Sequence, residues 1–317
     1  MDSPDISVIV TCYNSENTIQ RTLKSIKRQT FPNFECIVIN DGSSDNSLEV
    51  IKQFSNSDSR FKVFSFNQNK GVSAAKSFGI EKSIATVIGF VDSDDYIEEF
   101  FLEKLLENKR QTGADITFCD VVEEYNYQFR YLFTYSHSPH LIENNLFLKE
   151  VIEDAKVKSW LNNKIFSRHL FEGKEFKGKT LEDFLLLPQL VKDANFISYI
   201  PFSGYHYEIR ENSLSRVTSL VDKFLLLKIS EKRMKWVKRE APDCIEQART
   251  CLLNFYNSYF SAARKLNFGI NFIFKEDYLQ FLRRNSKLLL KSKKLSNKRK
   301  LLARLALLYQ FFITLKS

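Results

Sequence analysis

Asp92, Ser93, Asp94 and Asp95 follow the apolar run of residues 86–91, so carboxylates gather where a buried strand runs out into solvent. In extended chain, side chains i and i+2 point the same way, which would let Asp92 and Asp94 converge on one hard cation and its phosphate ligands. Three carboxylates in four residues repel one another unless a cation sits among them or water screens them. Asp is also a good N-cap, and the same acids suit the start of a helix near Ile97. Three other turns offer complementary chemistry. Thr11 and Tyr13 place a hydroxyl and an aromatic ring after an apolar run, where the ring can lie against a nucleobase and the hydroxyl can hydrogen-bond it. Asp41 offers a carboxylate to an imide N–H or a ribose hydroxyl, while Gly42 permits a tight bend. Around Lys70, Gly71 and Lys76 a small-residue helix start has cations near it, which attracts phosphate.

The elements that must position these residues alternate. Residues 6–10, 34–39, 61–66 and 86–91 read as strands, and residues from about 19, 47–54 and 72–82 as helices. Such βαβ spacing implies a parallel sheet with right-handed crossovers and the turns after the strands along one edge. Ligands of these sheets bind outside that edge, where Thr11, Asp41 and Asp92 all fall. No G-x-G-x-x-G and no Walker A sequence occurs, which argues against a Rossmann dehydrogenase and a P-loop enzyme. Further on the pattern turns mixed: a helix at 100–109, strands at 115–122 and 128–135, helices at 146–155 and 184–192, and extended chain at 196–207. From about residue 220 the signal is helical throughout.

With 317 residues, 44% of them hydrophobic, and few Gly and Pro, the chain has ample core for one large domain and an appendage, or for two domains. Five cysteines without metal-site spacing read as buried thiols of a reducing compartment. The start carries acids and a short apolar run, unlike a signal peptide, and no stretch is long enough to span a bilayer. A cytoplasmic protein that can touch a membrane is therefore expected. Charge is divided unevenly. Residues 216–317 hold 23 Lys and Arg against 7 Asp and Glu, a net of +16 within a whole-chain +9, so residues 1–215 carry −7. Acids gathered around a site in front and a cationic surface behind imply two jobs.

The segments Ser7-Val8-Ile9-Val10-Thr11-Cys12-Tyr13-Asn14, Val38-Ile39-Asn40-Asp41-Gly42-Ser43-Ser44-Asp45, Gly71-Val72-Ser73-Ala74-Ala75 and Phe90-Val91-Asp92-Ser93-Asp94-Asp95 resemble, in order and spacing, the nucleotide-sugar half of glycosyltransferase family 2. The resemblance covers about residues 5–215. It implies an α/β GT-A fold: a Rossmann-like mixed sheet flanked by helices, with residues 1–215 as catalytic domain and 216–317 as a basic α-helical extension. Residues up to about 110 would bind the nucleotide-sugar and residues 111–215 the acceptor. By the resemblance Thr11, Tyr13 and Asp41 hold the uracil of a UDP-sugar, Asp92 and Ser93 lie near ribose and sugar, and Asp94 of the DXD motif coordinates Mn²⁺ or Mg²⁺ bridging the diphosphate. Two departures stand out: Asn40 replaces the family's usual Asp, and Lys76 stands where an Arg is common, keeping the charge without the planar fork. Glu182-Asp183 matches the family's Glu-Asp segment, whose Asp commonly serves as catalytic base; read alone, it is an acidic first turn of a helix. Trp160, Asn163 and Lys164 fall in a segment like the family's acceptor side. Residues 205–216 resemble a closing segment, in which Arg210 and Ser213 reach the diphosphate and His206 approaches the metal.

These features together predict an inverting glycosyltransferase that moves a hexose or N-acetylhexosamine from a UDP-sugar to a glycan or lipid-linked acceptor of bacterial surface polysaccharide. Past Asp277 there is no acid, and residues 301–315 are apolar over about four helical turns. Cations beside a short apolar helix suit an anionic membrane surface, so residues 280–317 predict peripheral docking at the inner face of the cell membrane. A helix packed on the catalytic domain would carry the same pattern. Two other classes stay open: a nucleotidyltransferase on the same sheet edge, and a membrane- or nucleic-acid-binding protein acting through the tail. Nucleic acid is not expected as a partner, because no groove-fitting motif accompanies the basic tail.

Overall fold

In the computed structural model, which describes residues 3–132, 138–176, 182–210 and 219–265, the four strands predicted first all form. They are β1 (Ile6–Cys12), β2 (Phe34–Asn40), β3 (Phe61–Ser65) and β4 (Val87–Asp92), parallel and in the spatial order β3-β2-β1-β4. A strand covered on both faces must be apolar at successive positions, and every residue of β2 is buried. The crossovers are α1 (Ile19–Lys27), α2 (Ser47–Ser57) and α3 (Val72–Lys82). Gly79 brings α3 close to the sheet: a Cβ there would lie 2.5 Å from Ile9 Cγ2. Lys76 is three residues earlier on the same helix face and is therefore drawn under the helix, only 4% exposed.

After β4 the sheet becomes mixed, through β5 (Tyr96–Ile97), α4 (Phe101–Thr112), β6 (Ile116–Tyr125), β7 (Gln128–Leu132), β8 (His140–Ile142), α5 (Asn144–Glu153), β9 (Lys164–Ser167), α6 (Glu182–Asp193) and β10 (Ile197–Glu208). The full order is β3-β2-β1-β4-β9-β6-β10-β5, with β7 on β6 and β8 on β10. This is the mixed sheet flanked by helices that the sequence predicts. β9 enters antiparallel to both β4 and β6, joining the two halves of the sheet. Tyr96 and Ile97 pair with His206 and Tyr205 of β10, so the acids do not open a helix near Ile97, and the helix expected at 100–109 runs from Phe101 to Thr112. All five cysteines are free and buried.

The chain divides into two compact units, residues 1–151 with 156–216, and residues 152–155 with 217–317. The second contains α7 (Leu220–Glu240) and α8 (Ile245–Lys265), which pack on each other. Ser219 caps α7, its Oγ accepting the Asp222 N–H at 3.1 Å. Arg233 of α7 is buried, and burial pushes its guanidinium down to about 10. No helix among the described residues is long and apolar enough to cross a membrane. The basic segment 280–317 lies outside the described residues.

Candidate active site

Strands β2, β1 and β4 end side by side, with Cys12 opposite Asn40 and Thr11 opposite Asp92. The turns beyond them are tied together by polar contacts. Asn14, left-handed at φ 49°, accepts the Ser44 N–H through Oδ1 at 2.9 Å, and its own N–H donates to Ser43 Oγ at 3.0 Å. Asp41 is buried, and its two oxygens accept the amides of Lys70 at 2.7 Å and Gly71 at 2.9 Å. The carboxylate expected to meet a base or ribose thus also fixes the third turn. Asn40 donates to Ser65 Oγ at 2.9 Å and accepts the Ser43 N–H at 3.3 Å, two contacts that use its amide character. Tyr13 is 50% exposed at this edge, and Thr11 is partly buried.

Gly42 is where the second and third turns meet. Its φ is +69°, and a Cβ would lie 2.5 Å from the backbone carbon of Gln68 and 2.7 Å from the Asn69 nitrogen. Gly42→Ala is expected to destabilise the protein by about 2 kcal/mol or more, since left-handed backbone costs a side-chain-bearing residue about 1–2 kcal/mol and the clash adds to it. Urea unfolding against wild type measures this, and an unchanged midpoint would show that the two turns separate freely.

β4 ends at Asp92, and Ser93 and Asp94 lie in a turn closed by the Asp95 N–H donating to the Asp92 carbonyl at 3.1 Å. That turn, rather than strand alternation, sets how the acids are arranged. Each has its own surroundings. Asp95 is fully buried and accepts the Tyr205 hydroxyl at 2.6 Å and the Glu208 N–H at 3.0 Å. Burial, with Asp92 and Asp94 beside it, holds its carboxyl well above the usual range. Asp92 accepts from Asn162 Nδ2 at 2.8 Å, and its N–H donates to the Tyr205 oxygen at 3.2 Å. Burial raises the Asp92 carboxyl as well, against the pull of Lys76 and with repulsion from Asp94 and Glu182. Asp94 pairs with Arg210, and its carbonyl accepts from Arg21 at 2.8 Å. Ser93 Oγ lies 2.8 Å from Ser15 Oγ.

Lys76 reaches this edge from α3. Its Nζ donates to Glu182 Oε1 at 2.7 Å and to Asp183 Oδ1 at 2.8 Å, residues more than a hundred positions away that open α6. Asp183 Oδ2 accepts the Leu161 N–H at 3.3 Å. Burial pushes the Asp183 carboxyl up to about 7; Lys76 opposes this, and Glu182 and Asp92 add repulsion. Burial works against the Lys76 ammonium, but Asp183, Glu182 and Asp92 outweigh it and keep the proton on. A carboxylate whose affinity for protons is raised toward neutrality, and whose second oxygen is engaged only by a long amide contact, is suited to accept a proton.

Trp160 stacks on Tyr207, ring centroids 5.2 Å apart and planes 25° apart. Lys164 is buried, its Nζ donating to the Trp160 carbonyl at 2.8 Å and to Asn163 Oδ1 at 2.6 Å, while Asn163 Nδ2 donates to the Cys119 carbonyl at 2.5 Å. Asn163 and Lys164 thereby shape the segment that presents Trp160. His206 stacks on Tyr96 at 4.3 Å with Nε2 2.7 Å from Glu98 Oε1, and Arg21 lies over the Tyr96 ring and pairs with Glu208. Ser213 and residues 178–181 lie outside the described residues. Sequence reasoning did not single out Arg21, Asn162, Tyr205 or Glu208, which bind the acid cluster to α1, β10 and the 160–164 segment. Arg21 gives no local signal, since it reads as a solvated residue of an amphipathic helix.

Among the described residues no three His, Cys, Asp or Glu side chains group as a cation cage. An ion of the magnesium type needs only one or two protein carboxylates when substrate phosphates complete its shell. Asp94 supplies one such carboxylate, and the Nδ1 of His206 is buried with no protein hydrogen-bond partner.

Residues 7–170, more than half of the chain, match the model of Glycosyl transferase family 2. The glycosyltransferase GlyA of Streptococcus pneumoniae is 34% identical over 220 residues, which cover 67% of this chain and 32% of GlyA, so the chain spans about a third of that relative's length. Among solved structures, residues 1–349 of Staphylococcus aureus TarS in complex with UDP-GlcNAc superpose with a TM-score of 0.67 at 20% identity, covering 89% of this chain and 81% of that one. A mannosyltransferase of Pyrobaculum calidifontis, in complex with GDP-Man and Mn²⁺, superposes with a TM-score of 0.55 at 13% identity, covering 96% of this chain and 85% of that one. Both structural likenesses concern the fold.

Proposed function

The chain belongs to glycosyl transferase family 2, and from that premise we propose that it is an inverting transferase moving a hexose or N-acetylhexosamine from a UDP-sugar to a glycan or lipid-linked acceptor of a bacterial surface polysaccharide. The observation that carries this reading is the buried contact of Lys76 with Glu182 and Asp183, which brings the Asp183 carboxylate from α6 to the end of the sheet where Asp92 closes β4. The UDP-GlcNAc in the TarS complex supports the donor class. Tyr13 lies against the uracil, Thr11 hydrogen-bonds it, and Asp41 uses the lone pairs left after its two amide contacts. Asp92 and Ser93 hold the ribose and sugar, and Arg210 and Ser213 the diphosphate. Asp94 and His206 would hold Mn²⁺ or Mg²⁺, which when bound offsets charge developing on the leaving diphosphate.

Asp183 takes the proton of the acceptor hydroxyl as that oxygen bonds to the anomeric carbon. The bond from that carbon to the diphosphate oxygen breaks on the opposite face, and UDP leaves with the electron pair. Trp160 provides an apolar platform for the acceptor, shaped by Asn163 and Lys164, while Glu182 shares the Lys76 ammonium. Residues 280–317 dock on anionic lipid from the cytoplasmic side, each cation contributing about 1 kcal/mol.

Thermal stabilisation by UDP-glucose, UDP-galactose, UDP-GlcNAc and UDP-GalNAc with Mn²⁺, followed by assay of the phosphate product, tests the reading. Stabilisation and UDP release are expected; pyrophosphate release would identify a nucleotidyltransferase instead. Because the base must be ionised, turnover at saturating donor should fall about tenfold per pH unit below roughly 7. A rate constant between pH 5.5 and 8.5 would remove Asp183 from that role.

A further inference from the structure

Lys76 stands where donor phosphate or base would be expected to meet a cation, yet its head group is spent on protein. The side chain is 5% exposed, and the Glu182 side chain it touches is 6% exposed. Two of the three ammonium protons go to carboxylates of α6. Asp183 is thereby held at both oxygens, Oδ1 by Lys76 and Oδ2 by the long contact from the Leu161 amide. The close approach of α3 at Gly79 leaves the lysine little freedom to swing toward solvent.

We propose that Lys76 is a positioning residue: by bridging Glu182 and Asp183 its buried ammonium fixes the Asp183 carboxylate in place and leaves the weakly engaged Oδ2 for the acceptor hydroxyl. This rests on the reading of Asp183 as proton acceptor. The principal charged groups acting on Asp183 are Lys76 from α3, Glu182 from its own helix and Asp92 from β4. With the ammonium removed, three carboxylates face one another without a cation, so Asp183 keeps its proton to higher pH and is freed to rotate. Both effects remove the base while leaving the uracil-binding turns untouched. A lysine that bound donor would behave differently, because its loss would weaken donor affinity and spare the rate at saturation.

The test uses the full chain with the UDP-sugar it consumes fastest, following UDP release from pH 5.5 to 9.5. For Lys76→Met we expect kcat at pH 7 to fall about 100-fold with donor KM within about threefold, and the acidic limb to move up by one unit or more. Lys76→Arg, which keeps the charge, should recover at least tenfold of the loss. Glu182→Gln leaves the ammonium to Asp183 alone and should move the limb the opposite way, to lower pH, which keeps the proposal testable if Lys76→Met does not fold. A raised donor KM with an unmoved acidic limb, or limbs moving in the same direction in both variants, overturns it. Carbon-13 titration of the Asp183 carboxyl, which needs no turnover, reads the same displacements. If wild type releases UDP from no sugar nucleotide, the transferase reading fails while this titration still decides the role of Lys76.

Discussion

Asp183→Asn is expected to lower the transfer rate by about 10²–10⁴-fold while the dissociation constant for donor stays within about threefold of wild type, the range general-base removal spans. The replacement keeps the shape of the side chain and removes only its capacity to accept a proton. Lys76 retains Glu182 at 2.7 Å, so the buried ammonium is not orphaned and the fold should survive. Calorimetric donor binding beside UDP-release kinetics separates the two effects. An undiminished rate would mean that another group accepts the proton, and a matching loss of donor affinity would mean that Asp183 holds substrate.

Asp94→Ala should cost about 10³-fold in turnover and make the residual rate indifferent to added Mn²⁺. If Asp94 holds a divalent ion, as proposed, removing its carboxylate would withdraw charge stabilisation where the leaving group forms. Its ion pair with Arg210 is partly exposed, and such pairs contribute about 0–1 kcal/mol, so the loss should not be one of folding. Electron paramagnetic titration of Mn²⁺ with UDP present supplies a readout apart from activity: wild type should bind the ion and the variant should not. Chelation of wild type should reproduce the variant's rate. Full Mn²⁺-dependent turnover in Asp94→Ala would exclude the metal role of this residue.

Much of the first half of the sheet is legible in the chain. Strands β1, β2 and β4 are buried from both faces, so each shows as a largely apolar run between turn-forming residues, while β3, at the edge of the sheet, is only partly buried. The helices between them show as apolar residues at helical spacing, as Ile19, Leu23 and Ile26 do on α1. The later elements are harder. β9 has four residues, too few for a period, and its partners on β4 and β6 lie many tens of residues away. β5 has two residues and forms by pairing with β10, which returns beside it from far along the chain.

The site divides the same way. Residue types at turns mark Thr11, Tyr13, Asp41, Asp92 and Asp94, because a turn after a buried strand delivers its side chains to one edge whatever the rest of the molecule does. Contacts across long sequence separations leave no local trace. Arg21 on Asp94 and Glu208, Asn162 on Asp92, and Tyr205 on Asp95 each join segments at least 70 residues apart. By itself, then, the sequence determined the parallel half of the sheet and which residues stand at the turns of its edge, since these follow from hydrophobic runs and from residues adjacent in the chain, and the motifs at those turns carried the resemblance to the family. Only the tertiary structure decided that Lys76 turns away from solvent to grip Glu182 and Asp183, because a lysine's environment is set by which helix face packs on the sheet and by which distant carboxylates the crossovers bring beneath it.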